Sequence, residues 1–217
     1  MDLTAFTPSS ALLTVVLLAL APFVAVMLTS FTKIIVVLSL LRNALGVQQV
    51  PPNLVLNALA MVLTIYVMYP VGSEITERLA QADVQFDSTD ELLRMADVAK
   101  EPLRDFLARH ANELERSFFR ATIDRMMEER GADPVGANDF IVLVPAFTVS
   151  ELTSAFQIGF LIFLPFIIID LVVSNILMAL GMMMLSPTMI SLPFKILLFV
   201  VVEGWTKLAH GLVLSYL

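Results

Sequence analysis

The chain has 217 residues, of which 58% are hydrophobic and 15% charged, and its formal net charge is −7. A soluble domain has about 25% charged residues, so this composition indicates a membrane protein. The absence of cysteine excludes disulfides, thiolate nucleophiles and cysteine-based metal sites, and the acidic balance argues against binding nucleic acid, which needs a basic surface.

Two hydrophobic segments occupy the first third of the chain. Ala11–Leu28 is long enough, at about 1.5 Å per residue, to cross a bilayer. A cleaved signal peptide is the alternative interpretation, which the lack of a preceding lysine or arginine weakens. A polar link ending in Pro51-Pro52 leads to the second segment, Leu54–Tyr69, which we expect Pro70 to end.

Most of the charge lies in one insert. Residues Glu74 to Asp139 include 16 acidic and 9 basic residues, whereas the rest of the chain has a net charge of zero. Apolar residues recur here at three- and four-residue steps, which predicts two or three amphipathic helices with breaks near Asp87–Asp90 and Arg130–Pro134. We interpret the charged face as solvated, with a docking surface for a neighbouring ring protein as the alternative.

Two apolar segments in the last third of the chain are joined by a methionine-rich turn. The first, which reaches Leu180, is about 45 Å long as a helix, so we expect a kinked helix or two half-helices. Gly181, Pro187 and Pro193 disfavour continued helix. Between them lie three consecutive methionines: Met182, Met183 and Met184. Because most interhelical turns are polar, this turn is expected to contact something other than water, and thioethers suit a contact that deforms.

Ionisable side chains in these apolar segments are candidate functional residues, since such groups cost several kcal/mol unless they are paired or face water. They are Glu151, Asp170, Lys195, Glu203 and Lys207. Glu151 and Lys195 each begin an apolar helix without a partner at i±3 or i±4, so we expect each to find one across helices or across subunits. Asp170 and Lys195 leave open a proton path, as in transporters.

The last segment, 194–217, is expected to be one helix. Glu203, Lys207 and His210 are spaced i, i+4, i+7, which places them on one face of it, where Glu203 and Lys207 could pair. This face is either a polar stripe at the membrane edge or a seam between subunits. No recognised catalytic or metal-binding motif is present, so neither an enzyme nor a cofactor is expected.

Two stretches carry long, unusual motifs and together cover almost half of the chain: FTKIIVVLSLLRNALGVQQVPPNLVLNALAMVLTIYVMYP (Phe31–Pro70) and FTVSELTSAFQIGFLIFLPFIIIDLVVSNILMALGMMMLSPTMISLPFKILLFVVVEGW (Phe147–Trp205). They resemble the FliP/SctR family, the export-gate core of type III secretion systems in flagella and injectisomes. The missing basic n-region resembles the injectisome branch more than the flagellar one.

The resemblance implies an assembly. Family members form a homopentamer that joins two smaller hydrophobic partners, of the FliQ/SctS and FliR/SctT families, as the portal through which unfolded polypeptides leave the cytoplasm. It implies that Met182, Met183 and Met184 form a gasket around the closed pore, and that Glu151 and Lys195 form an intersubunit charge pair. It also implies that the hydrophobic helices pack against other subunits and sit largely above the bilayer plane.

The sequence therefore predicts an all-α protein of membrane-type helical hairpins, with four hydrophobic segments, that assembles into a ring or cone. Residues 1–72 hold the first two segments, 73–146 the acidic insert, and 147–217 the C-terminal hairpin with its loop at 181–187. The positive-inside rule places the connection flanked by Lys33 and Arg42 in the cytoplasm, and the insert on the periplasmic side of the bacterial inner membrane.

The expected function is a non-enzymatic subunit of a protein-export channel in contact with membrane lipid. The alternative is a proton-coupled small-solute transporter or channel subunit that uses Asp170 and Lys195.

Overall fold

The computed structural model describes residues 15–16, 19–20, 22–23, 25–47, 49–81, 89–182 and 184–217. This part of the chain is all-helical and has no strand, which confirms the predicted fold class. Its helices are α1 (Phe31–Leu45), α2 (Asn53–Gln81), α3 (Thr89–His110), α4 (Glu113–Glu128), α5 (Phe140–Ala179), α6 (Pro187–Val201) and α7 (Gly204–Leu214). The first predicted hydrophobic segment lies partly outside the described residues; residues 25–28 of it are helical.

The chain divides into two compact units. The insert unit comprises Met68–Glu151 and the described residues up to Ser30, and the hairpin unit comprises Phe31–Val67 and Leu152–Leu217. Two helices, α2 and α5, each contribute residues to both units.

Helix α1 is the centre of the hairpin unit. One buried cluster joins Ile34, Val37 and Leu38 of α1 to α2, α5 and α7 through Leu56, Ala60, Ala155 and Leu212. A second cluster joins the C-terminal half of α1 to Phe166 of α5 and Phe199 of α6. Since α1 is apolar on several sides, it is buried, and its neighbours take the outer positions.

In the insert unit, α3 packs on the beginning of α5. Phe106 and Leu107 of α3 are buried with Phe147 of α5, and the rings of Phe106 and Phe147 lie 5.7 Å apart. The break between α3 and α4 was not predicted. Asn112 caps α4 there by accepting a hydrogen bond from Leu114 N, and its own N–H donates to Ser150 Oγ at 2.8 Å.

Two of the predicted helix ends are wrong. Helix α2 continues through Pro70 to Gln81, and α6 begins at Pro187 and contains Pro193. Pro187 lies in the first turn of α6, where no N–H is needed, and Pro70 and Pro193 each remove one backbone hydrogen bond, which does not end a helix whose other hydrogen bonds are kept. Of the two expectations for the third segment, the two half-helices are wrong, because α5 is one continuous helix of 40 residues.

The last segment is two helices, not the single helix that we predicted. α6 and α7 meet at an angle of 59° around Glu203, which has the left-handed conformation (φ 54°, ψ 45°). The bend brings the first residue of α7 against α6: a Cβ added at Gly204 would lie 2.1 Å from the Phe199 ring. Only glycine allows this close approach, and the Phe199 ring also packs edge-to-face on Trp205 at 5.4 Å.

Helices α2 and α5 are each long and apolar enough to cross a membrane, and the bent α6–α7 pair is a third candidate span. Their apolar side chains are largely exposed in the isolated chain, as Leu54 (79%) and Phe160 (63%) show. Apolar patches of this extent mark surfaces that contact lipid or other proteins.

Candidate functional site

The methionine-rich turn joins α5 to α6. α5 ends in a Schellman motif, in which Gly181 N–H donates to Met178 O at 3.1 Å and Met182 N–H to Leu177 O at 2.9 Å. Gly181 has φ +71°, a left-handed conformation that favours glycine. The chain turns back as Leu185 N–H donates to Met182 O, and α6 starts with Ser186 as N-cap and Pro187 at the first turn.

The turn presents its apolar side chains outward. Met184 is fully exposed (101%), and Met182 and Leu185 are nearly half exposed. Met183 lies outside the described residues. A turn with exposed thioether and isobutyl side chains offers a flexible apolar surface to whatever it meets.

A polar cluster links α5 to α6 roughly two to three helical turns away from the methionine-rich turn. Asp170 of α5 accepts hydrogen bonds from both Lys195 Nζ (2.6 Å, to Oδ2) and Ser191 Oγ (2.5 Å, to Oδ1) of α6. The Lys195 side chain is 7% exposed and that of Asp170 34%. The ion pair therefore ties the two helices together on both sides of the turn.

The same lysine reaches α1. Lys195 Nζ donates to the carbonyl oxygen of Ala44 at 3.3 Å, in the last turn of α1. A cation at a helix C-terminus is stabilised by the partial negative charge of the unsatisfied carbonyls. One ammonium group thus connects α1, α5 and α6.

Glu151 is 2% exposed in α5, and Lys33 is 4% exposed in α1. Lys33 Nζ lies 3.8 Å from the centroid of the Tyr216 ring, a cation–π contact that ties the chain end to α1. The charge pair between Glu151 and Lys195 across subunits stays a prediction.

Glu203 is not part of the helix that carries Lys207, contrary to the expectation of a single last helix. Glu203 is the N-cap of α7 and lies at the bend, whereas Lys207 lies one turn inside α7; both side chains are exposed. The described residues contain no ion pair between the two.

The candidate residues therefore form two groups. One is the apolar turn, and the other is the polar cluster of Asp170, Ser191, Lys195 and the Ala44 carbonyl group, which we call the clamp. Sequence reasoning missed two members of the clamp, Ser191 and the carbonyl group of Ala44. Ser191 lies four residues before Lys195, which places both on one face of α6, and this spacing was the available signal. Within the described ranges no group of three His, Asp or Glu residues could hold a metal ion.

The comparisons with known proteins agree with the sequence resemblance. The chain is 52% identical over 200 residues to the "Yop proteins translocation protein R" of Yersinia pestis, which covers 92% of both chains. It is 49% identical over 213 residues to the "Hypersensitivity response secretion protein HrcR" of Ralstonia nicotianae, covering 96% of this chain and 97% of the relative. It is 45% identical over 208 residues to the "Virulence protein YscR" of Salmonella typhimurium, covering 92% and 93%.

These relatives are named for translocation, secretion and virulence, which gives no support to the solute-transporter alternative. The FliP family profile matches residues 12–212, nearly the whole chain. The chain therefore belongs to the FliP family.

Proposed function

We propose that this chain is a core subunit of the type III secretion export gate, and that it forms the portal through which unfolded proteins cross the bacterial inner membrane. The observation that carries the proposal is the close identity, over nine-tenths of the chain, to proteins named for translocation and secretion. Its role is structural and non-enzymatic.

The methionine turn is the gasket of the closed pore. A portal for an extended polypeptide must exclude ions when idle and yield to many side-chain shapes when active. The exposed Met182 and Met184 support this role, because a ring of unbranched, uncharged side chains forms a hydrophobic constriction that resists ions by dewetting yet deforms easily.

The subunit acts in an oligomer. Five copies surround the pore and join small membrane proteins of the FliQ/SctS and FliR/SctT kinds, with the acidic insert on the periplasmic side. The apolar faces of α2 and α5, exposed in the single chain, supply the surface for such contacts.

Substitution of the methionine turn tests the gasket. Met182, Met183 and Met184 are replaced together by alanine, and the ion conductance of membranes containing the assembled complex is measured, with secretion assayed in parallel. We expect conductance to rise at least several-fold while the complex still assembles, because alanine leaves the constriction wider. Replacement of Met126 and Met127 in α4 by alanine is the matched control and should leave conductance unchanged.

An unaltered conductance in the alanine variant, with assembly intact, would contradict the gasket. It would leave the broader proposal standing, which deletion of the gene tests: loss of the chain should abolish secretion, and the wild-type chain should restore it.

Cross-linking tests the charge pair between subunits, since the chain has no native cysteine. Two differently tagged chains, one with Glu151→Cys and one with Lys195→Cys, are produced together and treated with a short bifunctional maleimide. A covalent dimer carrying both tags is expected, because the side chains of a Glu–Lys pair hold their Cβ atoms too far apart for a disulfide but within reach of such a cross-linker. Glu203→Cys with Lys195→Cys is the control. If an assembled complex yields no mixed dimer, the pairing is wrong.

A further inference from the structure

A polar pocket lies beside the connection between α1 and α2; we call it the connection pocket. Its volume is about 650 Å³, which is within the range of ligand-binding sites. The described residues that line it include one cation, Arg42, and no carboxylate. Three residues with amide side chains also line it: Asn43, Gln49 and Asn53. The pocket is therefore electropositive and rich in hydrogen-bonding groups.

The protein holds the guanidinium group of Arg42 by one nitrogen. Arg42 Nη1 donates hydrogen bonds to Asn53 Oδ1 and, at 3.4 Å, to the carbonyl oxygen of Pro51. Within the described ranges, Nε and Nη2 have no hydrogen-bond partner and Arg42 forms no ion pair. Parallel N–H groups on one edge of a guanidinium match the two oxygens of an oxyanion. Arg42 is thus positioned to bind an anion that its described neighbours do not supply.

The remaining lining residues indicate that a polypeptide supplies this anion. Amide side chains both donate and accept hydrogen bonds, so they match the N–H and C=O groups of an extended peptide. A partner helix has paired its backbone groups internally, except at its ends, and would leave these amides without partners.

Other anionic ligands fit the lining less well. A phosphate monoester carries nearly two negative charges, which is more than one guanidinium balances. The described lining includes no aromatic residue on which a nucleotide base would stack. Its apolar side chains, Val47 and Pro52, are too few to hold an acyl chain. A single carboxylate on a peptide backbone is therefore the ligand that matches both the charge and the amides.

We propose that the connection pocket binds an extended peptide segment of a partner protein through an aspartate or glutamate side chain. The carboxylate accepts two hydrogen bonds from Arg42, and the amide groups of Asn43 and Gln49 pair with the peptide backbone beside it. This inference goes beyond the export function and does not depend on it.

Saturation-transfer NMR of the purified full-length chain in deuterated detergent tests the proposal. Two blocked pentapeptides of serine and glycine are compared, one with a central glutamate and one with glutamine in its place. We expect the glutamate peptide to bind about tenfold more tightly, which is the contribution of one charge-assisted pair. Arg42→Gln should reduce the ratio of the two dissociation constants to about one. Arg109→Gln, which changes an exposed arginine of α3, is the matched control and should keep the wild-type ratio.

A second variant leaves Arg42 and its hydrogen bonds in place. Asn43→Asp adds a negative charge to the pocket lining, so it should weaken binding of the glutamate peptide by about fivefold and leave that of the glutamine peptide nearly unchanged. Asn57→Asp makes the same chemical change at an exposed position of α2 that does not line the pocket, and it should bind both peptides as the wild type does.

Equal affinity of the two peptides for the wild-type chain, no binding of either, or a preference that survives Arg42→Gln would overturn the proposal. Inorganic phosphate is titrated as a third ligand. If phosphate binds more tightly than the glutamate peptide, the pocket is a site for free phosphate and the proposal is wrong. Circular dichroism checks folding, and if Arg42→Gln is unfolded the comparison of Asn43→Asp with Asn57→Asp decides.

Discussion

Lys195 shows how one buried charge can organise the hairpin. Its ammonium group has an anionic partner in Asp170 and a carbonyl partner in Ala44, and Ser191 satisfies the second oxygen of the carboxylate. A buried ion pair adds little net stability when all its hydrogen bonds are made, but loss of one partner leaves an uncompensated charge. We infer that the clamp fixes how α5 and α6 meet, and hence where the methionine turn points.

Asp170→Asn is therefore expected to destabilise the chain by about 3 kcal/mol, because it leaves the Lys195 ammonium buried without a counter-charge. The thermal unfolding midpoint in detergent measures the effect. Asp97→Asn, which breaks the exposed pair of Asp97 with Lys100, is the control and should change stability by less than about 0.5 kcal/mol. Asp170→Asn combined with Lys195→Met should recover part of the loss, and the absence of recovery would contradict the clamp.

Tyr216→Leu should destabilise the hairpin unit by about 1–2 kcal/mol, since the ring of Tyr216 covers the buried ammonium group of Lys33. Leu217→Ala changes the neighbouring residue, which is 97% exposed, and should have no effect. A double-mutant cycle with Lys33→Met gives the coupling energy. A coupling near zero would show that the contact does not stabilise the fold.

At the scale of elements, the helix ends have different causes, some local to the backbone and some due to packing between helices. The end of α5 is local: Gly181 adopts a positive φ and the Schellman hydrogen bonds close the helix. The end of α6 also involves a tertiary contact, because Phe199 is buried against α1 and only glycine at 204 fits beneath its ring. The passage of α2 through Pro70 shows that the loss of one backbone hydrogen bond does not end a helix of 29 residues.

Alanine at two glycines should have opposite effects. Gly181→Ala is expected to destabilise by about 1 kcal/mol because a Cβ strains the left-handed conformation, although it meets no atom within 4 Å. Gly72→Ala lies inside α2, also in open space, and should stabilise by up to about 1 kcal/mol because alanine is the better helix former. The thermal unfolding midpoints of both variants provide the measurement. If both substitutions raised the midpoint, or both lowered it, the account of backbone strain at Gly181 and helix propensity at Gly72 would be contradicted.

At the scale of the whole molecule, most of the apolar surface of the long helices faces outward. In the most apolar stretches of α2 and α5, only 17% and 11% of the residues are buried within the chain. Burial of that surface requires lipid or other subunits, which a single chain in water does not supply.

Single cysteines test the proposed topology, because the chain has no native cysteine. Glu113→Cys in α4, where the side chain is 91% exposed, should react with a membrane-impermeant maleimide added to intact spheroplasts. Val50→Cys, in the connection between α1 and α2 and 59% exposed in the wild type, should react only after lysis, since that connection is predicted to be cytoplasmic. The reverse pattern would place the insert in the cytoplasm.

The sequence by itself determined the all-α class, the membrane character and the family. These properties depend on composition and hydropathy summed over many residues, or on long sequence motifs. A single contact in the structure therefore cannot change them. It also placed the turn at Gly181, because a left-handed residue and the hydrogen bonds that accompany it are local features.

Only the tertiary structure decided which carboxylate of its own chain Lys195 meets, where the last helix bends, and that Tyr216 covers Lys33. Lys195 and Ala44 are 151 residues apart, and no periodicity in the sequence reports such a contact. Side chains so distant in the chain become neighbours only after α1 has been buried among α2, α5, α6 and α7, and the close approach of those helices then selects the partner of each buried charge.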